Sequence, residues 1–258
     1  ENAGDALSTG SDNTLVGDNA GGALTTGGNN IAIGSAALDA EDTGTDSVAI
    51  GYNALTAQNN DASNYNVAVG SSAGAAVTTA TRSVLIGGQS GDALTTGSRN
   101  NVIGYNALGS DTLGARATAL GYGALQSQNF TTATENYNVA LGYNAGGSIT
   151  TGVQNTLVGA LTGDSLTDAD SNIAIGYASL TADTLGSKSV AIGAGTLESQ
   201  NFSTATDSYN VAIGHTAGGN VTTGLQNVAI GGLAGDALTD ADRNIAIGYQ
   251  ALTTDDLG

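Results

Sequence analysis

The sequence predicts an all-β parallel solenoid, a β-roll, in which each turn takes about 17 residues. Three observations predict it. A five-residue motif ending in glycine returns at a fixed interval, that motif alternates like a strand, and large core-filling side chains are nearly absent.

The motif is seen in Asn244-Ile-Ala-Ile-Gly248. Its glycines are Gly17, Gly34, Gly51, Gly70, Gly87, Gly104, Gly121, Gly142, Gly159, Gly176, Gly193, Gly214, Gly231 and Gly248. Successive glycines stand 17 residues apart, except for 19 between Gly51 and Gly70 and 21 between Gly121 and Gly142 and between Gly193 and Gly214. A short fixed period of this kind marks stacked units that bury a core only together. The whole chain, 1–258, reads as one repeat array of fourteen units. It starts and stops inside a unit, since Ala3-Gly-Asp-Ala-Leu7 matches Ala234-Gly-Asp-Ala-Leu238, so it is read as a piece of a longer fibrous protein.

Within the motif, Val211-Ala212-Ile213 alternates as a strand does, with neighbouring side chains on opposite faces. The expected arrangement puts the large branched residues inside and the alanines outside, where an Ala-rich face packs against another chain. Glycine then turns the chain, because it alone takes φ > 0 at little cost. Four residues after that glycine stands either Gly or Leu, in a four-unit cycle of 70–72 residues. In Leu-type units Leu55, Leu125 or Leu197 is expected to fill the core. In Gly-type units Leu24, Val77, Leu94, Ile149, Leu166, Val221 and Leu238, three places later, take that role. Turn-forming Thr, Asp and Gly close each unit. A helix is excluded by recurrent glycine, at about 1 kcal/mol each against alanine, and by the lack of an apolar stripe at helical spacing.

The chain has 40 Gly, 2 Phe and no Pro, Cys, Met or Trp. Thin rungs of Ala, Val, Ile and Leu suit that composition; a thick globular core does not. Each rung offers only three or four apolar side chains, so association with other chains is expected to supply part of the stability. A formal charge of −18 with five Lys plus Arg argues against nucleic-acid and anionic-membrane partners. The acidity serves the solubility of a long surface, cation binding, or use in a salty extracellular setting. Without cysteine there is neither a disulfide framework nor a thiolate metal site. No segment is apolar for long enough to span a bilayer as a helix.

The recurring Ser47-Val-Ala-Ile-Gly51, Ser189-Val-Ala-Ile-Gly193 and Asn210-Val-Ala-Ile-Gly214 resemble the head repeats of trimeric autotransporter adhesins of the YadA kind. Asn244-Ile-Ala-Ile-Gly-Tyr-Gln-Ala-Leu252 is also similar to repeats of bacteriophage tail-fibre proteins. The resemblance covers essentially the whole chain. It implies a left-handed parallel β-roll, a homotrimer, and an extracellular, cell-surface or virion fibre that attaches to a glycan or host receptor. The adhesin repeat is shorter and lacks the insertion found here in every fourth unit. No catalytic residue or cofactor comes with the resemblance.

Those insertions begin at Gln58, Gln128 and Gln200 and end at Tyr65, Tyr137 and Tyr209. Asn59, Tyr65, Phe130, Tyr137, Phe202 and Tyr209 are the ligand candidates: a ring beside Asn and Thr can hold a sugar, or it can plug a gap between chains. Asn129, Asn201 and Asn220 fit the N-glycosylation acceptor pattern, which chance also produces in a chain this rich in Asn and Thr. Asp168, Asp170, Asp240 and Asp242 carry oxygens suited to calcium but sit in ordinary turn segments, so no metal site is expected. Tyr52, Tyr105, Tyr122, Tyr143, Tyr177 and Tyr249 follow the motif glycine, so Tyr105, Tyr122 and Tyr143 should stack on successive rungs, as a stabilising ladder or as an aromatic strip for carbohydrate; His215 holds the same position. Asn13, Asn30, Asn155, Asn172, Asn227 and Asn244 are expected to form hydrogen-bonded ladders. One histidine with no matching constellation gives little basis for nucleophilic catalysis, and no enzyme activity is expected. Two functions follow: a structural or adhesive shaft or head of a trimeric fibre, or the body of a self-assembling filament with no receptor role.

Overall fold

Each turn of the chain lays one three-residue strand beside the last, in parallel. A computed structural model describes residues 2–254. Among them every regular element is a β-strand, and no helix is long and apolar enough to cross a membrane. The chain forms two compact units, Glu1–Asn136 and Tyr137–Gly258.

In the first unit the strands are β1 (Thr14–Val16), β2 (Ile31–Ile33), β3 (Val48–Ile50), β4 (Val67–Val69), β5 (Val84–Ile86), β6 (Asn101–Ile103), β7 (Gly114–Ala115), β8 (Thr118–Leu120) and β9 (Thr134–Glu135). Strands β1 to β6 and then β8 pair in sequence order, in strict register: Thr14 with Ile31, Leu15 with Ala32, Val16 with Ile33. The second unit repeats this with β10 (Val139–Leu141), β11 (Thr156–Val158), β12 (Ile173–Ile175), β13 (Gly186–Ser187), β14 (Val190–Ile192), β15 (Thr206–Asp207), β16 (Val211–Ile213), β17 (Val228–Ile230) and β18 (Ile245–Ile247). Both units are therefore parallel β-solenoids at about 17 residues per turn, as the period requires. Except beside the insertions, where β7 pairs with β9 and β13 with β15, only one side of a rung is strand. The turns are bonded from rung to rung as well, Gly21 N–H to the Ala37 carbonyl at 2.9 Å and Leu38 N–H to that of Ala54 at 3.0 Å.

The strands face the opposite way from the sequence expectation. The middle residues, such as Ala32, Ala49, Ala174 and Ala191, are fully buried, while Ile31, Ile103, Ile173 and Ile175 are exposed. The preceding residue decides the phase. Asn30, Asn100, Asn155 and Asn172 are buried, and with a period of two a buried Asn forces the next branched residue outward. Among the described residues the outer face of the strands is therefore not Ala-rich; it is Val, Ile and Leu, interrupted by Thr14, Asn101, Thr118 and Thr156.

Little space remains under the strand because the core is filled from the turn. Leu38, Leu55, Leu108, Leu125, Leu180 and Leu197 are buried and take positive φ, between 47° and 54°. A left-handed leucine costs about 1–2 kcal/mol, and full burial of its side chain, about 1.5–3 kcal/mol, offsets that. Gly-type rungs keep the same backbone, φ +54° at Gly91, but reach the core from Leu94. A Cβ on Gly91 would lie 2.8 Å from Leu94 Cδ1 and 2.9 Å from Leu85 Cδ2. Gly21, Gly91 and Gly163 thus accompany the larger strand residues Leu15, Leu85 and Leu157, whose side chains fill the space that a turn leucine occupies elsewhere.

The expected asparagine ladder is present, but it runs from side chain to backbone. Asn155 Oδ1 accepts from Asn172 N–H at 3.0 Å, and its Nδ2 donates to the Ala169 carbonyl at 2.7 Å. Asn13, Asn30, Asn172 and Asn227 likewise bond the N–H of the next rung and a turn carbonyl 14 residues on. Asn244 ends this series: its backbone N–H donates to Asn227 Oδ1, and its side-chain Nδ2 donates to the Asp242 carbonyl. Each amide therefore pins one strand start to the corner beneath it.

Candidate functional site

The insertions leave the solenoid just after a Leu-type turn, and each is anchored by a buried carboxylate in the rung before it. Asp111 accepts from Gly114 N–H at 3.0 Å, from Gln128 Nε2 at 2.6 Å and from Phe130 N–H at 3.2 Å. Seventy-two residues on, Asp183 repeats this with Gly186 at 3.0 Å, Gln200 at 2.6 Å and Phe202 at 3.2 Å. In the shorter first insertion Glu41 takes the same place, accepting from Gly44 N–H, Gln58 Nε2 and Asn64 Nδ2. The glutamine continues inward: Asn66 Nδ2 donates to Gln58 Oε1, and Asn210 Nδ2 to Gln200 Oε1, both at 2.8 Å. A carboxylate–Gln–Asn chain thus fixes the exit of the first and third insertions, and the pairs β7–β9 and β13–β15 fix the return of the two longer ones.

This anchoring determines which candidate side chains reach solvent. The rings of Phe130 and Phe202 are only 5% exposed, so they close the base of the insertion and offer no surface to a sugar. A Cβ on Gly186 would lie 2.7 Å from the Phe202 ring, which packs directly on that backbone. Asn59, Tyr65, Tyr137 and Tyr209 are exposed. Tyr209 belongs to a surface cluster in which Lys188 Nζ lies 5.2 Å from its ring centroid and pairs with Asp207. The ligand candidates are therefore not one constellation: two rings face inward and the other four side chains face solvent.

Asn129 and Asn201 are exposed, and their Oδ1 atoms accept from the hydroxyls of Thr112 and Thr184 one rung earlier. Asn220 is exposed and donates to Asp236. The four aspartates considered for calcium are spread along the turns. Asp168 accepts from Thr151, Asp170 from Val153 N–H, Asp240 from Thr239 and Asp242 from Leu225 N–H. Among the described residues no group of three or more His, Cys, Asp or Glu side chains is placed to hold a metal ion. Tyr105 and Tyr122 stack with centroids 5.6 Å apart and planes 19° from parallel, a rung-to-rung aromatic ladder. His215 is exposed, with Nδ1 2.9 Å from the Thr216 hydroxyl.

Sequence reasoning missed the anchors Glu41, Asp111 and Asp183. Their signal was an acidic residue at one fixed place before each insertion, paired with the Gln that opens it. Burial pushes all three carboxyls above their usual range, against the lowering effect of the donors around them. A raised folded-state pKa means that the folded chain holds the proton more tightly. This contribution to stability is fully present below the unfolded pKa of about 4 and is lost as pH rises through the raised folded values. Asp207 shifts down because of its bond from Lys188, but that pair is exposed and contributes little. The thermal midpoint is therefore expected to rise on acidification from pH 7 to about pH 4.5, and the rise should shrink in Asp111→Asn/Asp183→Asn. A rise of equal size in the variant would assign it to relief of general charge repulsion instead.

No family model, curated protein or solved structure matches the chain.

Proposed function

We propose that this chain is a structural and adhesive segment, shaft or head, of a homotrimeric extracellular fibre of the adhesin or tail-fibre kind. It offers repeated surface loops whose weak contacts add through multivalency. One observation carries this reading: in each unit the outer face of the three-residue strands is a double column of branched apolar side chains. The second column is Val, Ile or Leu at every rung, and the first is interrupted only by Thr14, Asn101, Thr118 and Thr156. Seven rungs at about 4.8 Å, on a strip about 12 Å wide, give on the order of 400 Å² of such face in each unit. A patch of that size is at the level where apolar surface on a soluble chain marks an interaction site. The rung period also repeats every side chain in register, which suits contact between identical copies at equal height. The threefold symmetry and the extracellular setting rest on the resemblance of the Val-Ala-Ile-Gly repeats.

Sedimentation equilibrium tests the reading. The expected mass is three times the 25.0 kDa chain. Replacing two face residues on one rung, Ile173→Lys/Ile175→Lys, should yield monomers, because six lysines would meet in a desolvated contact. A monomer for the unaltered chain refutes the trimer. A mass that grows without limit with concentration supports the filament reading, and a trimer unaffected by the lysines places the interface elsewhere.

A further inference from the structure

All five Lys and Arg residues of this acidic chain stand at the same place in the repeat, five residues before a motif glycine. Arg82, Arg99, Arg116, Lys188 and Arg243 each stand just before the inward residue that opens a strand. Three of them fall on successive rungs: Arg99 N–H bonds the Thr81 carbonyl and Arg116 N–H that of Ser98, so the arginines stack in register. Rungs of a parallel ladder lie about 4.8 Å apart, and so do these three side-chain origins.

The repeat supplies its own control. At the same places one four-rung cycle earlier stand Asp12, Asn29 and Asp46, and one cycle later Gln154, Ser171 and Lys188. The backbone is the same in all of them, with φ between 58° and 66°. The fold therefore does not require arginine at this corner, and no copy but this one has three cations in a row. Their partners are few. Arg116 pairs with Glu135 at 2.7 Å. Arg82 and Arg99 are exposed and have no side-chain hydrogen bond or ion pair among the described residues. Apart from Glu135 on Arg116, the residues next to the column in the sequence are neutral and polar: Thr81 and Ser98 one residue before Arg82 and Arg99, and Asn101, exposed on β6 where β3, β4 and β5 carry Val.

We propose that the Arg82–Arg99–Arg116 column is an oxyanion-binding site that takes a sulfate, phosphate or carboxylate group carried on an otherwise neutral molecule such as a saccharide. Two guanidinium forks at rung spacing can each donate a pair of hydrogen bonds to one oxyanion, and a planar fork suits that geometry better than an ammonium. The chain as a whole carries a net charge of −18, and this sets the class of ligand, since an extended polyanion such as nucleic acid would lie against acidic surface on either side. A single anionic group meets only the local field, screened beyond about 10 Å at 0.1 M salt. This site does not depend on self-association of the chain.

The test titrates the full chain with inorganic sulfate against chloride at matched ionic strength, following the arginine Nε–H resonances by NMR. A sulfated disaccharide, its phosphorylated and carboxylated counterparts and its neutral parent are then compared. The control is Arg82→Gln/Arg99→Ser/Arg116→Lys, which installs the residues of the next cycle and should leave the thermal midpoint unchanged. The expected result is saturable shifts at Arg82 and Arg99, no response to the neutral sugar, and at least tenfold weaker binding in the triple variant. The strongest of the three anionic sugars identifies the natural group. Linear, non-saturating shifts, or equal binding by the variant, would overturn the proposal. So would a variant whose sedimentation mass falls while the unaltered chain ignores sulfate, because the column would then be a contact between copies.

Discussion

Gly104→Ala is expected to cost more than about 4 kcal/mol and to abolish cooperative unfolding of the first unit. Gly104 takes φ +141°, and a Cβ there would lie 2.3 Å from the Gly121 carbonyl oxygen and 2.6 Å from its carbon. Both obstacles are backbone of the next rung, so relief requires the rungs to separate. Gly109→Ala is the control. Its added Cβ would come even closer to a neighbour, 2.1 Å from Asn106 Oδ1, but that atom ends a side chain that can swing away, and Gly109 has no positive φ. A change there within about 1 kcal/mol of neutral is expected. Urea unfolding of both variants checks the pair, and equal effects would show that contact distance alone, not backbone stacking, governs the motif glycines.

Asn155→Ala is expected to lose about 2–5 kcal/mol. It strips a partner from the buried N–H of Asn172 and from the carbonyl of Ala169, and each unsatisfied buried group costs about 1–3 kcal/mol. Asn155→Ser should recover about half. The same column holds Ser83, whose hydroxyl accepts from Asn100 N–H at 3.2 Å while reaching no corner carbonyl. Thermal and urea unfolding measure both. A serine variant as unstable as the alanine one would mean that the bond to the corner carbonyl carries nearly all of the effect, and an alanine variant close to the unaltered chain would remove the ladder from the account of stability.

The rung period, the parallel strands, the Gly-or-Leu turn and the Tyr105–Tyr122 stack could be read from the sequence because each follows from residues at fixed places in the repeat. The direction in which the strands face could not. Val211-Ala212-Ile213 says that neighbours point to opposite sides and leaves open which side is inside. A preference for large residues indoors gave the wrong answer, since the turn leucines Leu125 and Leu197 already occupy that space. Phe130 and Phe202 misled for a related reason: an aromatic in an insertion looks like a contact residue until Asp111 and Asp183, one rung away, pull the loop base inward. The arginine column was present in the sequence too, but it becomes visible only once the rungs are aligned by their buried asparagines.

By itself the sequence determined that this chain is a repetitive, acidic, all-β solenoid, because period, alternation and glycine spacing are local and repeat fourteen times. The tertiary structure decided what that solenoid shows to its surroundings. Buried Asn amides bond a carbonyl 14 residues further on, and that long-range bond sets the strand phase, turns alanine inward and leaves the branched apolar face, the tyrosine ladder and the arginine corner outside.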